Sequence, residues 1–322
     1  MEILRIKNLK KYFPVSSGTL HAVDDVTLSI EEGTTLGVVG ESGCGKSTLG
    51  KTVLRLTEPT AGEIWFKGEE ISRIHRKEFK RLRTEMQMIF QDPFASLDPR
   101  MSITQLIAEP LEIYRLTSGK EETRRRVHEL MDVVGLAERF ADSYPHELDG
   151  GRRQRIGIAR ALALDPSFIV CDEPVSALDV SIQAQVLNLL QDLQKAKGLT
   201  YMFITHDLSV VKHISDEICV MYLGQVVEKC RAKELFRNTL HPYSQALLSA
   251  IPVARVHDRP KRVLLQGELS SPIDPKKCCR FAARCIHATE ECFCSEPCLR
   301  NVGGGHFVAC HHVSAAEPAA AE

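Results

Sequence analysis

Residues 34 to 50 read TTLGVVGESGCGKSTLG, and the residue types and spacing in this stretch suit phosphate chemistry. Gly40, Gly43 and Gly45 let a backbone turn tightly and turn its N–H groups onto phosphate oxygens. A helix starting just beyond them adds its own attraction for anions. Lys46 would neutralise the β- and γ-phosphates, and the Ser47 hydroxyl would hold magnesium. Ser42, Cys44 and Thr48 complete the loop that would line the nucleotide. A second pair of groups stands at Asp172 and Glu173, directly after the apolar run Phe168–Cys171. Triphosphate hydrolysis needs an Asp at such a strand end for magnesium, and Glu173 would polarise the attacking water. His206, after YMFIT, would contact the γ-phosphate, although a strand-end histidine taken alone is more often structural.

These groups work only if strands and helices hold them. Leu36–Val39 predicts a buried strand ahead of the loop, and Leu49, Val53, Leu54 and Leu56 predict a helix behind it. Val26, Leu28 and Ile30 alternate as in a half-buried antiparallel strand, and EPTAGEIWFKGEEI reads as a hairpin around Trp65. The basic run at 73–83 is expected to be a solvated helix face, because no aromatic stacking platform accompanies it. MQMIF (86–90), SFIVCDEP and YMFITHD supply three more core strands, with a mostly helical insertion over 100–160. Ile182, Val186, Leu189, Leu190 and Leu193 mark one face of a further helix. Strands alternating with helices predict an α/β fold with a mainly parallel sheet covered on both faces.

A net charge of −1 over 322 residues gives no global basic field, so nucleic acid is not an expected partner. No apolar run approaches the ~20 residues needed to span a bilayer, and the N-terminus lacks a signal-peptide profile. A chain working on the cytosolic side is expected, with any membrane role exercised through partners. Cys44, Cys171, Cys219 and Cys230 are scattered and read as buried small hydrophobes. The other seven cysteines crowd between 278 and 310, which in a cytosolic protein suggests a metal or cluster rather than disulfides.

GESGCGKST, Gln91, LDGGRRQR, CDEP, SALD and THD stand in the order of an ABC-type ATPase. Nearly the whole chain resembles the ATP-binding subunits of bacterial dipeptide and oligopeptide permeases, through PVSALDVSIQAQVLNLLQDLQ, HDLSVV, MYLGQVVEK and HPYSQALLSAIP. The second of the two ATPases of such permeases is the nearest resemblance. It implies a P-loop NTPase cassette over 1–235 with a helical subdomain near 92–160, an N-terminal antiparallel β subdomain, and a C-terminal extension over 236–322. It also implies that Phe13, with Tyr12 as the neighbouring alternative, stacks on adenine, and that Gln91 links magnesium to the transmembrane interface. Asp179 would lie in the loop that crosses to a partner ATPase. The implied machine is a dimer sandwiching two ATP, attached peripherally at the cytoplasmic face of the membrane. Its other parts are two transmembrane subunits and an external substrate-binding protein. A soluble ABC ATPase of phosphonate breakdown, repair or translation type, or an importer of nickel, glutathione or other small solutes, is the alternative.

Two segments depart from the family pattern or extend it. The family's signature LSGGQ is here Leu148-Asp149-Gly150-Gly151-Arg152. A carboxylate ~4 Å from one phosphate charge costs ~4 kcal/mol at an effective dielectric of 20. The lost hydroxyl bond to a charged group adds ~1.5–3 kcal/mol. Asp149 is also a good N-cap, and Arg152, three positions on, can screen it in part. A weakened signature half favours a heterodimer with one stronger ATP site. In the tail, the family pattern ending C-x-F-x-x-R-C with two later cysteines selects Cys279, Cys285, Cys292 and Cys310, a set associated in the family with a [4Fe–4S] cluster. Zinc or free thiols are the alternatives for four such ligands, and Cys278 or Cys294 could replace a neighbour.

Overall fold

The computed structural model describes residues 1–92, 94–251, 263, 265 and 271–313. The sequence also predicts a polar linker in VARVHDRPKRV (253–263) and a disordered end in VSAAEPAAAE (313–322), and both lie outside these residues apart from Val263 and Val313. Strands β1 (Glu2–Val15) and β2 (Gly18–Glu31) come first, and Val26, Leu28 and Ile30 are buried as their alternation predicts. Strand β3 (Thr35–Val39) is buried at every position, as a strand covered on both faces must be.

Helix α1 (Lys46–Val53) buries Leu49 and Val53 but stops sooner than the apolar spacing suggests. Leu54 ends it, Arg55 turns at φ +48°, and Leu56 is 53 % exposed. The Arg55 guanidinium donates to Glu58 and to the Ile71 carbonyl, each at 2.9 Å, which holds the chain in that turn. Strands β4 (Ala61–Phe66) and β5 (Glu69–Glu70) form the expected hairpin, with Lys67 and Gly68 both at positive φ as a tight two-residue turn requires.

The basic run folds as α2 (Arg76–Glu85), burying Phe79 and Leu82 and turning its lysines to solvent. Strand β6 (Met86–Ile89) precedes the helical insertion of α3 (Ile103–Ile113), α4 (Lys120–Val133) and α5 (Gly150–Leu162). A reciprocal Ser102–Gln105 capping box starts α3, and a left-handed Gly135 follows α4. Strand β7 (Phe168–Asp172), helix α6 (Val180–Lys197) and strand β8 (Thr200–Thr205) follow. Val186, Leu190 and Leu193 are the buried face of α6, with Ile182 and Leu189 half-buried beside them. The chain continues through α7 (Leu208–Ile214), β9 (Glu217–Tyr222), β10 (Gln225–Arg231), α8 (Ala232–Arg237) and α9 (Pro242–Ser249). It ends in α10 (Glu290–Cys294), β11 (Arg300–Asn301) and β12 (Phe307–Val308).

The chain falls into two compact units. One, the helical unit, comprises Met1, Glu31–Thr34 and Arg73–Ile204. In it β6, β7 and β8 run parallel, with Met88 beside Val170 and Val170 beside Met202. The other, the phosphate-loop unit, comprises Glu2–Ile30, Thr35–Ser72 and Thr205–Glu322. It holds a sheet of strand order β2-β1-β4-β5, and a second group in which β3 pairs parallel with β9. Strands β10, β12 and β11 extend that second group antiparallel. Cys44, Cys171, Cys219 and Cys230 are all buried, and burial pushes Cys219 and Cys230 up to about 12, so they are inert hydrophobes. Among the described residues no helix is long and apolar enough to cross a membrane.

Candidate nucleotide and partner sites

In the phosphate-loop unit, β3 delivers the chain into a loop that only glycine can trace at two points. Gly40 has φ +154°, and a Cβ there would lie 2.2 Å from the Met221 carbonyl oxygen. Gly45 has φ +104°, and its Cβ would lie 2.0 Å from the Ala22 carbonyl oxygen. The loop is braced from β9–β10, since Gly224 N donates to Cys44 O at 2.8 Å. Lys46 is 4 % exposed, and its ammonium donates to the carbonyls of Gly40 (2.8 Å) and Glu41 (2.9 Å), with Cys44 Sγ at 3.8 Å. An ammonium has three donors. The buried cation is therefore aimed by the first two carbonyls of its own loop.

Ser47 and Thr48 open α1 behind it. Tyr12 stacks on His21 (3.9 Å between centroids) and donates to Asp24, whereas Phe13 is half-buried with Lys11 Nζ 4.7 Å from its ring. His206 is exposed at the end of β8, just ahead of Asp207, whose carboxylate caps α7 through Ser209 N at 2.8 Å.

In the helical unit, Asp172 ends β7 only 3 % exposed, and Glu173 follows at φ +44°. A left-handed non-glycine residue costs on the order of 1–3 kcal/mol and persists only where its surroundings hold it. Here Glu173 N donates to Ile204 O (2.9 Å) and Ser176 Oγ to Glu173 O (3.1 Å). The turn aims the side chain at Gln91, whose Nε2 donates to Glu173 Oε2 at 2.9 Å. Gln91 and Glu173 are thus brought together from positions 82 residues apart. This amide–carboxylate bond is a feature the sequence carries no signal for.

The signature segment opens α5. Asp149 Oδ1 accepts from Arg152 N at 2.8 Å, and Oδ2 accepts from the Arg152 guanidinium at 2.6 Å. Asp149 is therefore both N-cap and ion-pair partner. Arg152 also lies over the Phe140 ring, 4.8 Å from its centroid. Gly150 and Gly151 pack against the start of α6: added Cβ atoms would lie 3.2 Å from Leu178 Cδ2 and 2.5 Å from Ile182 Cγ2. Asp179, exposed, is the residue just before α6.

The C-terminal cysteine segment belongs to the phosphate-loop unit. Cys292 and Cys310 are buried, and Cys279 and Cys285 are half-buried. Burial, then the neighbouring cysteines 292, 285 and 310, push Cys279 up to about 11. Cys294 and Cys298 are exposed to solvent. The four selected thiols therefore lie within electrostatic reach of one another. Among the described residues, however, no three His, Cys, Asp or Glu side chains converge to hold a metal ion. Three residues that sequence reasoning does not assign a role are Glu41, Tyr243 and Arg284. Glu41 N donates to Tyr243 Oη at 2.9 Å, and its carboxylate takes Arg284 at 2.7 and 3.1 Å. The F-x-x-R-C spacing was the available signal, read only for its cysteines.

A strand–glycine loop–helix with a buried lysine, and a strand-end Asp–Glu pair, define a P-loop ATPase of the cassette type. The family model of the ABC transporter matches residues 23–176, and that of the oligopeptide/dipeptide transporter C-terminal region matches residues 227–292. The oligopeptide transport ATP-binding protein AppF of Bacillus subtilis is 51 % identical over 319 residues, covering 96 % of this chain and 97 % of that protein. The dipeptide transport ATP-binding protein DppF of Haemophilus influenzae is 49 % identical over 317 residues, with 97 % of each covered. Among solved structures, an ATP-binding cassette captured as a dimer after hydrolysis with ADP and phosphate superposes with a TM-score of 0.66 at 31 % identity, over 71 % of this chain and 99 % of that one. The chain belongs to the ABC transporter ATPases, in the group of oligopeptide and dipeptide transport ATP-binding proteins.

Proposed function

We propose that this chain is the ATP-hydrolysing subunit of an importer that drives uptake of di- and oligopeptides through partner membrane subunits. The observation that carries the reading is similarity to peptide-transport ATPases along 96–97 % of the chain, C-terminal region included. ABC ATPases of other classes lack that region by expectation. The nucleotide-binding residues are Gly40, Ser42, Gly43, Cys44, Gly45, Lys46, Ser47 and Thr48, with Phe13 as the ring for adenine because Tyr12 is engaged by His21 and Asp24. Lys46 takes the β- and γ-phosphates, Glu173 activates water, and His206 contacts the γ-phosphate. The Ser47 hydroxyl, the Asp172 carboxylate and the Gln91 amide oxygen are hard oxygen donors of the kind magnesium takes. Magnesium bound there would neutralise phosphate charge. Gln91, by donating to Glu173, holds the base in place.

Two such ATPases close on ATP, each signature loop (Asp149, Gly150, Gly151, Arg152) meeting the partner's nucleotide, and Asp179 crosses between them. The partner is a different chain with a serine in its signature. The assembly adds two membrane permease subunits and an external binding protein, with this subunit peripheral on the cytoplasmic face. Reconstituted with those partners, the complex is expected to couple ATP hydrolysis to peptide uptake. Glu173→Gln keeps ATP binding and nearly abolishes turnover. Full turnover in that variant would move the base elsewhere, and ATP-driven uptake of nickel or glutathione but not peptides would overturn the cargo.

In the tail, the chosen four-thiol set is Cys279, Cys285, Cys292 and Cys310. The resemblance supports a [4Fe–4S] cluster or zinc on it, whereas the unconverged thiols speak against either. Anaerobic purification followed by iron, acid-labile sulfide and zinc analysis decides. Four serine substitutions that leave metal content unchanged would exclude this set.

A further inference from the structure

Glu41 stands second in the phosphate loop, directly after Gly40, and every polar group it has is committed. Its N–H goes to Tyr243, its carbonyl receives Lys46, and its carboxylate receives Arg284 through two bonds. Tyr243 and Arg284 both come from the C-terminal region, and Arg284 lies 243 residues from Glu41. The arginine is 9 % exposed and is set by a ring cluster: Tyr222, Tyr243 and Phe281 meet with centroids 4.7–5.5 Å apart, and the guanidinium lies 5.9 Å from the Tyr222 ring. The same segment also fastens to β2. An antiparallel bridge joins Leu20 and Ile273, and His21 N donates to Pro272 O at 3.0 Å. Ala22, the next residue, is the one on which Gly45 rests.

A carboxylate in a loop built for a triphosphate is a like charge in the wrong place. It is tolerable when a fixed guanidinium forks onto it and when its backbone serves the loop. We propose that Arg284 is a positioning residue for nucleotide: it cancels the Glu41 charge beside the phosphate cradle and fixes the carbonyls that aim Lys46. The C-terminal extension thereby becomes part of the ATP site, although it contributes no group to the phosphates. This rests on the reading that the loop takes ATP.

The test uses the full-length protein with its partner ATPase, measuring ATP binding by direct titration and turnover by phosphate release. Arg284→Gln is expected to weaken ATP binding and raise the KM for ATP by on the order of tenfold, with kcat changed far less. Arg284→Lys, keeping the charge but not the fork, recovers part of the loss. The double variant Glu41→Gln/Arg284→Gln recovers most of it, because the stranded charge is gone. A tail that had merely lost its fold would not be cured by a change in the loop. Unchanged ATP affinity in Arg284→Gln, or no recovery in the double variant, overturns the proposal. Lys46→Ala serves as the reference: if it bound ATP as well as the wild type, the phosphate-loop reading itself would fail.

Discussion

Asp149 holds two bonds at the second position of the signature segment. Its oxygens are both taken up by Arg152, one by the backbone N–H and one by the guanidinium. Both side chains are about half exposed, so the pair is worth under ~1 kcal/mol. The repulsion it must offset, toward a phosphate ~4 Å away, is ~4 kcal/mol at a dielectric of 20. In the proposed dimer the sum is unfavourable for ATP bound by the partner. Asp149→Ser is therefore expected to raise ATPase rate or ATP affinity of the assembled pair several-fold. Serine is an equal N-cap, so melting temperature should stay nearly constant. No gain in either quantity would remove the argument for unequal sites. At this scale the phosphate loop and the signature were legible, because their chemistry is local in sequence. The Arg284–Glu41 fork was not, since nothing in a one-dimensional pattern says which of 41 lysines and arginines answers a given carboxylate.

At the scale of elements, apolar spacing marked the buried face of α6 and the run of basic residues marked the solvated face of α2, because each helix buries one stripe. It misjudged the end of α1, where a left-handed arginine closes the helix ahead of a leucine in phase with it. The start of α9 is a case where resemblance found the residues and packing supplies the reason. His241 Nδ1 caps the helix through Tyr243 N at 3.1 Å, Pro242 occupies the first turn, and Glu228 accepts from His241 N at 3.2 Å. The imidazole is 2 % exposed, and burial lowers it from 6.5 to about 4. A histidine whose folded pKa lies below its unfolded one takes up protons on unfolding between those values. Its contribution is complete above 6.5 and is lost as pH falls toward 4, amounting to about 3 kcal/mol. Thermal unfolding of His241→Asn, which keeps a capping side chain, should show a shallower fall in stability than wild type over pH 6.5 to 4. Parallel curves would assign the acid sensitivity elsewhere.

At the scale of the whole molecule, the family resemblance draws its line near residue 235, where the cassette is expected to stop. The compact units are drawn differently: the last described residues share a unit with β1, β2 and the phosphate loop. Local composition cannot reveal this, because it is made by pairings between distant parts of the chain, such as β10 with β12 and Leu20 with Ile273. The alternation of strands and helices did reveal the architecture, since parallel neighbours require a crossover between them.

One contact has a mechanical outcome for assembly. With Gly151 seated on Ile182, the helix bearing the signature and the helix behind Asp179 share a seam with no slack for even a methyl group. A bulkier residue at 151 would wedge the two apart, and only a trimmed side chain at 182 could let them close again. The face proposed to meet a second ATPase is thus a single die, and it cannot be recut at one edge without being recut at the other.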